Sequence, residues 1–210
     1  MLTERDKAII KDLNRFRVMD RDSIAELHFA GLKNPKYAAN NVLLRLLRDG
    51  QIQRSTAFTP FVYFGPDVSM KQNSAKIGHF LAILEVYKDM RKLGKLESFW
   101  VEPKYGKKGG AEPDIYCTYR GTGFFVEVQR TIYSDKLMDE KMDRYVDLFN
   151  GDIVAKPFPH VLIISDQRYA IDGDYPFKVF QAQTFTDFVN SLKGVEEKRQ
   201  PESGVRIKIG

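Results

Sequence analysis

The sequence predicts a mixed α and β protein of two units: three helices with a hairpin, then a mixed central sheet flanked by helices. Three observations predict it. The first 65 residues carry three helical patterns followed by two short β-like runs. Residues 66–75, PDVSMKQNSA, are polar and poor in apolar side chains, which marks a linker. Beyond them, long amphipathic helices alternate with strand-forming runs. The continuous apolar stretch HVLIIS at 160–165 has the pattern of a strand buried on both faces. An apolar fraction of 43% over 210 residues supplies a core for each unit.

In the N-terminal unit, 1–65, Thr3 is placed to cap a first helix, with Asp6 three residues on to reach back as a capping-box acid. Ile9, Ile10 and Leu13 form its apolar stripe. Asp20 or Asp22 caps a short second helix with Ile24, Leu27 and Phe29 inward. Asn34-Pro35 starts a third helix, with Asn as N-cap and Pro at the first helical position, and Gly50 stands where a left-handed residue ends it. Its apolar side is Ala39, Val42, Leu43, Leu46 and Leu47. GQIQRS and FVYFG then form a hairpin around Thr59-Pro60. This order is that of a winged helix-turn-helix. Lys36, Tyr37, Asn40, Asn41, Arg45 and Arg48 on the third helix, with Arg54 on the hairpin, suit DNA: cations neutralise phosphate and amides bond to base edges. Any surface helix of a basic protein has the same look, and that alternative stays open.

The second unit, 76–193, reads helix (74–93, closed by Gly94), strand (LESFWVE), basic loop (PKYGKKGGA) and two strands at 114–119 and 124–130. A helix at 135–149, the strand at 160–165, a further strand in FKVFQAQ and a helix capped by Thr184 or Thr186 and ending near Leu192 follow. The charged tail, 194–210, lacks a pattern and is expected to be loosely ordered.

Composition narrows the function classes. A formal charge of +5 and a pI near 9.1 are compatible with nucleic acid. No apolar run is long enough for a bilayer, and the N-terminus lacks the pattern of a signal peptide, so a cytoplasmic protein is expected. One cysteine, Cys117, excludes an internal disulfide and a CxxC zinc site. His28, His79 and His160 lack ligand spacing and read as packing or surface residues. Cys117 reads as a core thiol.

The run EPDIYCTYRGTGFFVEVQRT at 112–131 carries the chemistry. With a turn at 120–123, Tyr119 is expected opposite Phe124 and Asp114 opposite Gln129. Alternation then puts Asp114, Tyr116, Phe125, Glu127 and Gln129 on one face and Ile115, Cys117, Val126 and Val128 on the other. Asp114 and Glu127 become diagonal neighbours able to grip one divalent ion. A half-buried hairpin with a solvated face explains the same alternation without metal.

The order of helix, three strands with Pro113-Asp114 opening the second and Glu127-Val128-Gln129 on the third, then helix and strand, resembles the PD-(D/E)XK nuclease superfamily. The matching residues are Pro113, Asp114, Glu127 and Gln129, with Glu85 on the preceding helix as an extra carboxylate. Lys141, Arg144 and Tyr145 are similar to the basic-and-tyrosine helix of many members. Joined to the winged helix, the chain resembles the replication-relaxation family of plasmids, phages and integrative elements of Gram-positive bacteria, over most of residues 3–192. The resemblance implies a DNA-binding protein acting in replication or DNA relaxation, with duplex DNA, replication or relaxation proteins of the same element and a second copy in a homodimer as candidate partners. It implies, alternatively, an endonuclease or nickase in which Asp114, Glu127 and the Val128 carbonyl hold magnesium or manganese. A dimeric transcriptional regulator is a third outcome. The chain departs from the superfamily at Gln129, where Lys is usual, although some active relatives carry Gln. A neutral amide brings no positive charge to the transition state, so Lys104, Lys107, Lys108 and Lys141 stand as candidates to supply it.

Overall fold

The structure, a computed structural model, describes residues 1–106, 109–171 and 173–199, with side chains through residue 192. Helix α1 (Glu4–Phe16) opens with a complete capping box: Thr3 Oγ1 accepts from the Asp6 N–H at 3.2 Å, and the Asp6 carboxylate accepts from the Thr3 N–H at 2.8 Å. A short strand, β1 (Met19–Asp20), leads into α2 (Arg21–Phe29), which Asp20 caps by accepting from the Ser23 N–H. Helix α3 (Pro35–Arg48) has proline in its first turn, but Asn34 makes no side-chain cap bond, contrary to expectation. Gly50 takes a φ of 66°, the left-handed conformation expected after this helix. Strands β2 (Gln53–Ser55) and β3 (Val62–Phe64) form the hairpin, and β1 joins it in the antiparallel order β1-β3-β2. Two residues are too few to show a period, so β1 has no signature in the sequence.

The second unit runs α4 (Ile77–Leu93), β4 (Leu96–Val101), β5 (Ile115–Tyr119), β6 (Thr122–Gln129), α5 (Asp135–Asn150), β7 (His160–Ser165), β8 (Val179–Ala182) and α6 (Phe185–Arg199). The sheet order is β4-β5-β6-β7-β8; the first three strands are antiparallel and the last three parallel. Helix α5 supplies the crossover that a parallel β6–β7 pair requires. Ile115, Cys117, Val126 and Val128 pack on one face with α4 and α6. Phe125, Val161 and Ile163 pack on the other with Met138, Met142 and Tyr145 of α5. Mixed α and β architecture is therefore as expected. Two bounds differ: α4 starts at Ile77 rather than 74, and α6 runs to Arg199, beyond the expected end near Leu192 and into the segment expected to be loose. Residues 200–210 lie outside the described residues.

The hairpin register also differs. Arg120 and Gly121, with φ of 50° and 76°, make a two-residue turn that pairs Tyr119 with Thr122. Such a turn matches the twist of the strands better than the four-residue loop expected at 120–123. The slip relative to expectation is two residues. Because side chains alternate with period two, an even slip keeps every side chain on its expected face.

The two units share one continuous core. Phe16 of α1 lies 4.8 Å from the Tyr87 ring and 6.0 Å from the Phe99 ring. Arg15 sits over all three rings and donates to the Phe99 carbonyl at 2.7 Å. The expected linker is anchored as well, since Val68 is buried in this core. Among the described residues, no helix is long and apolar enough to cross a membrane.

Candidate functional site

Asp114 directly precedes β5, and Glu127 lies near the end of β6. Continuing the observed pairing of Ile115 with Val126 by one residue sets Asp114 straight across from Glu127, closer than the expected diagonal. Both face α5. That helix is amphipathic and starts at Ser134, whose side chain accepts from the Leu137 N–H. Its Met138, Met142 and Tyr145 are buried against the sheet, which brings Lys141 and Tyr145, four residues apart, onto Glu127.

Every oxygen of the pair has a protein donor. Glu127, only 2% exposed, accepts from the Tyr145 hydroxyl at 2.6 Å through Oε1 and from Lys141 Nζ at 2.5 Å through Oε2. Asp114 Oδ2 accepts from the Val128 N–H at 2.8 Å, and Oδ1 lies 3.1 Å from His79 Nε2. Burial pushes the Glu127 carboxyl up to about 7; the nearby Lys141 opposes the rise and the Asp114 charge adds to it. His79 is raised by its hydrogen bond to Asp114, against the effect of its burial.

Two cavities, of about 490 and about 620 Å³, flank the pair and share Asp114, Tyr133 and Lys141. Their rims carry Arg144 on one side and Lys76 and Arg130 on the other. Glu112 and Glu102 line the same two cavities, so the arrangement is a carboxylate centre in a cleft that carries both cations and acids.

The expected site residues divide. Asp114 and Glu127 come together. Gln129 lines one cavity, but its amide donates to the Thr131 carbonyl at 2.9 Å. Lys141 is the cation at the centre. Lys104 instead meets Glu112 at 3.1 Å, and Lys107 and Lys108 lie outside the described residues. Glu85 is a correction: it pairs with Lys88 at 2.7 Å and lines a separate cavity of about 1030 Å³ with Asp20, Asp22 and Lys36. It sits six residues from His79 on α4, about one and two-thirds turns, and so leaves the helix on a different side. His79 is the functional-site residue missed; its partner is 35 positions away in sequence, and nothing local signals the contact. Cys117 is a buried core thiol as expected, with burial pushing it up to about 12.

Among the described residues, no group of three His, Cys, Asp or Glu side chains is arranged to hold a metal. The opposed pair supplies two carboxylates, and all four of their oxygens are already partnered within the protein.

On α3, Tyr37, Asn41, Leu44 and Arg48 form an outward stripe at spacings of four, three and four residues. Tyr37 is 68% exposed and Arg48 keeps only a long contact, 3.4 Å, to Asp49. Three other expected DNA contacts already have partners: Lys36 bonds to Asp22 at 2.7 Å, Arg45 bonds at 2.6 Å to buried Asp6, and Arg54 lies over the Phe61 ring. Asn40 is half-buried.

Comparison of the sequence with protein-family models and with curated proteins finds no match. Among solved structures, the chain is similar to the crystal structure of protein VC1899 from Vibrio cholerae, at 12% identity with a TM-score of 0.38. The similarity covers 90% of this chain and 51% of that one, so this chain spans about half the length of that protein.

Proposed function

We propose that the chain is a duplex-DNA-binding protein of a plasmid, phage or integrative element, acting in its replication or DNA relaxation, and that Asp114 and Glu127 form a phosphodiester-cleaving site dependent on a divalent metal. In this reading the first 65 residues are a winged helix with α3 as its reading helix, and residues 76–193 are a PD-(D/E)XK-like unit.

The observation that carries the reading is Lys141. It brings a cation to within 2.5 Å of Glu127 in a chain whose usual lysine position holds Gln129. Asp114 and Glu127 are the side chains that would hold magnesium or manganese. Bound there, the ion would polarise a phosphoryl oxygen and acidify a water. The remaining roles belong to the chain itself. Tyr145 fixes the orientation of Glu127, the Val128 N–H and His79 fix Asp114, and Lys141 places positive charge where phosphate oxygens gain negative charge.

The test is cleavage of supercoiled, linear, nicked and branched duplexes with magnesium or manganese. Asp114→Asn and Glu127→Gln should abolish cleavage while leaving duplex affinity intact. A second reading is favoured by one observation: all four oxygens of the carboxylate pair already receive protein donors. On that reading the cleft is a closed network and the unit only a binding platform. Failure of every substrate, together with no manganese binding, would select it.

A further inference from the structure

The edge strand β4 holds the chain's single tryptophan, Trp100, and leaves it 62% exposed. Its neighbour Phe99 points the other way, into the aromatic cluster with Phe16 and Tyr87. Alternation therefore puts Trp100 on the sheet face that carries Asp114 and Glu127.

The register shows how close it lies to them. Trp100 pairs with Tyr116, and Tyr116 pairs with Phe125. Beyond the paired Val101 and Ile115, the Glu102 N–H donates to the Asp114 carbonyl at 2.8 Å, and one step past the paired Ile115 and Val126 Asp114 comes opposite Glu127. The two rows are two strand residues apart, about 7 Å. Trp100 is thus diagonal to Asp114.

Helix α5 covers this face only over the inner strands. Tyr145 packs on Phe125, and Tyr116 lies at its margin, its ring tilted against that of Phe125 at 5.6 Å. Among the described residues no helix lies above the outer strip, and Tyr105, in the segment after β4, packs at its inner edge with its ring 5.3 Å from that of Phe125. The strip's other side chains are hydroxyls: Ser98 and Thr118, joined at 3.0 Å. One exposed indole among hydroxyls, leading into a cleft lined by Lys76, Arg130, Lys141 and Arg144 as well as by Glu102 and Glu112, offers a stacking platform beside cations that can meet phosphate.

We infer that the strip bearing Trp100 and Tyr116 stacks an unpaired nucleobase, so that the Asp114–Glu127 centre takes a single-stranded or melted segment of DNA. A base held inside a duplex stack presents no face to such a platform. The inference rests on the phosphodiester site proposed above, and it specifies the state of the strand that site receives.

Because Trp100 is the only tryptophan, its fluorescence reports on the platform directly. The full chain, in chelator and without metal, is titrated with a short oligothymidylate under tryptophan-selective excitation, with binding followed in parallel by anisotropy of a labelled strand. Saturable quenching is expected. Trp100→Ala should weaken the oligothymidylate about tenfold, Trp100→Phe should keep most of the affinity, and circular dichroism of both should match the parent. The platform is overturned if the strand fails to bind, binds without quenching, or binds Trp100→Ala as it binds the parent. The proposed function has its own readout: loss of cleavage in Asp114→Asn with quenching unchanged would show the metal-dependent site to be real whatever the platform does. Quenching with no cleavage of any substrate would leave the platform standing and the cleavage reading refuted.

Discussion

Each unit contains a nearly inaccessible carboxylate bonded to a cation on a neighbouring helix, and the two have their pKa values pushed in opposite directions. Asp6 in α1 is 1% exposed and meets Arg45 at 2.6 Å; Glu127 in β6 is 2% exposed and meets Lys141 at 2.5 Å. Burial alone would raise both. At Asp6 the Thr3 N–H, the Arg45 guanidinium and the Thr3 hydroxyl together outweigh burial and hold the carboxyl below its ordinary range. At Glu127 burial wins, and the adjacent Asp114 helps it. A helix N-terminus offers backbone donors and a favourable dipole to an anion, whereas a second carboxylate does the reverse. Proximity of a cation therefore does not distinguish a structural from a functional acid. The rest of its surroundings does.

The sharpest way to break this contrast is to remove the cation beside Glu127. Lys141→Met should lower metal-dependent cleavage a hundred- to thousandfold, the size found for losing one donor to transition-state charge. Gln129→Ala should stay near the parent rate, since its amide is turned to Thr131. Equal losses in both would return the catalytic role to position 129. A steady-state kcat/KM comparison on one duplex substrate decides between them.

Asp6→Ala tests the other side. It removes a cap and an ion pair together and should cost about 2 kcal/mol in urea unfolding. The figure stays moderate because Arg45 is 34% exposed and regains water once its partner is gone. Cleavage per folded molecule should not change. A loss of activity beyond the loss of folded protein would mean that Asp6 is not purely structural.

The same contrast explains what the sequence could and could not reveal. Caps and turns are local chemistry, so Thr3, Asp6, Asp20 and Gly50 were legible from neighbours three or four residues away. The shared face of Asp114 and Glu127 was legible too, because alternation survives an even error in register. Long-range pairings leave no such trace. Arg45 belongs by helical position to the polar face of α3, yet it is held by an acid 39 residues earlier. His79 and Glu85 occupy one helix, and only the packing of α4 against the sheet decides which of them meets Asp114.

Removing that Arg45 ambiguity sharpens the test of the DNA-binding role proposed for α3. Asn41→Ala with Arg48→Ala should weaken duplex binding about tenfold, at unchanged stability. The salt dependence of affinity should flatten by about one unit, because one phosphate is no longer neutralised by the Arg48 guanidinium. Fluorescence anisotropy at several salt concentrations provides both values. Unaltered affinity and slope would remove the exposed stripe of α3 from the interface.

The smallest expected effect lies in His79. Its hydrogen bond to Asp114 raises its pKa above the ordinary 6.5. A histidine with a raised folded pKa adds stability that is fully present below its unfolded pKa and disappears as pH rises through the folded one. His79→Gln should therefore cost most below about pH 6, on the order of 1 kcal/mol for a partly exposed pair, and little above pH 8, where the neutral ring and the amide are comparable donors. Urea unfolding of parent and variant at about pH 5.5, 7 and 8.5 measures the difference. A gap that widens with pH would mean that the ring meets Asp114 uncharged even in acid, leaving the acid's charge to be balanced by the cations of the cleft alone.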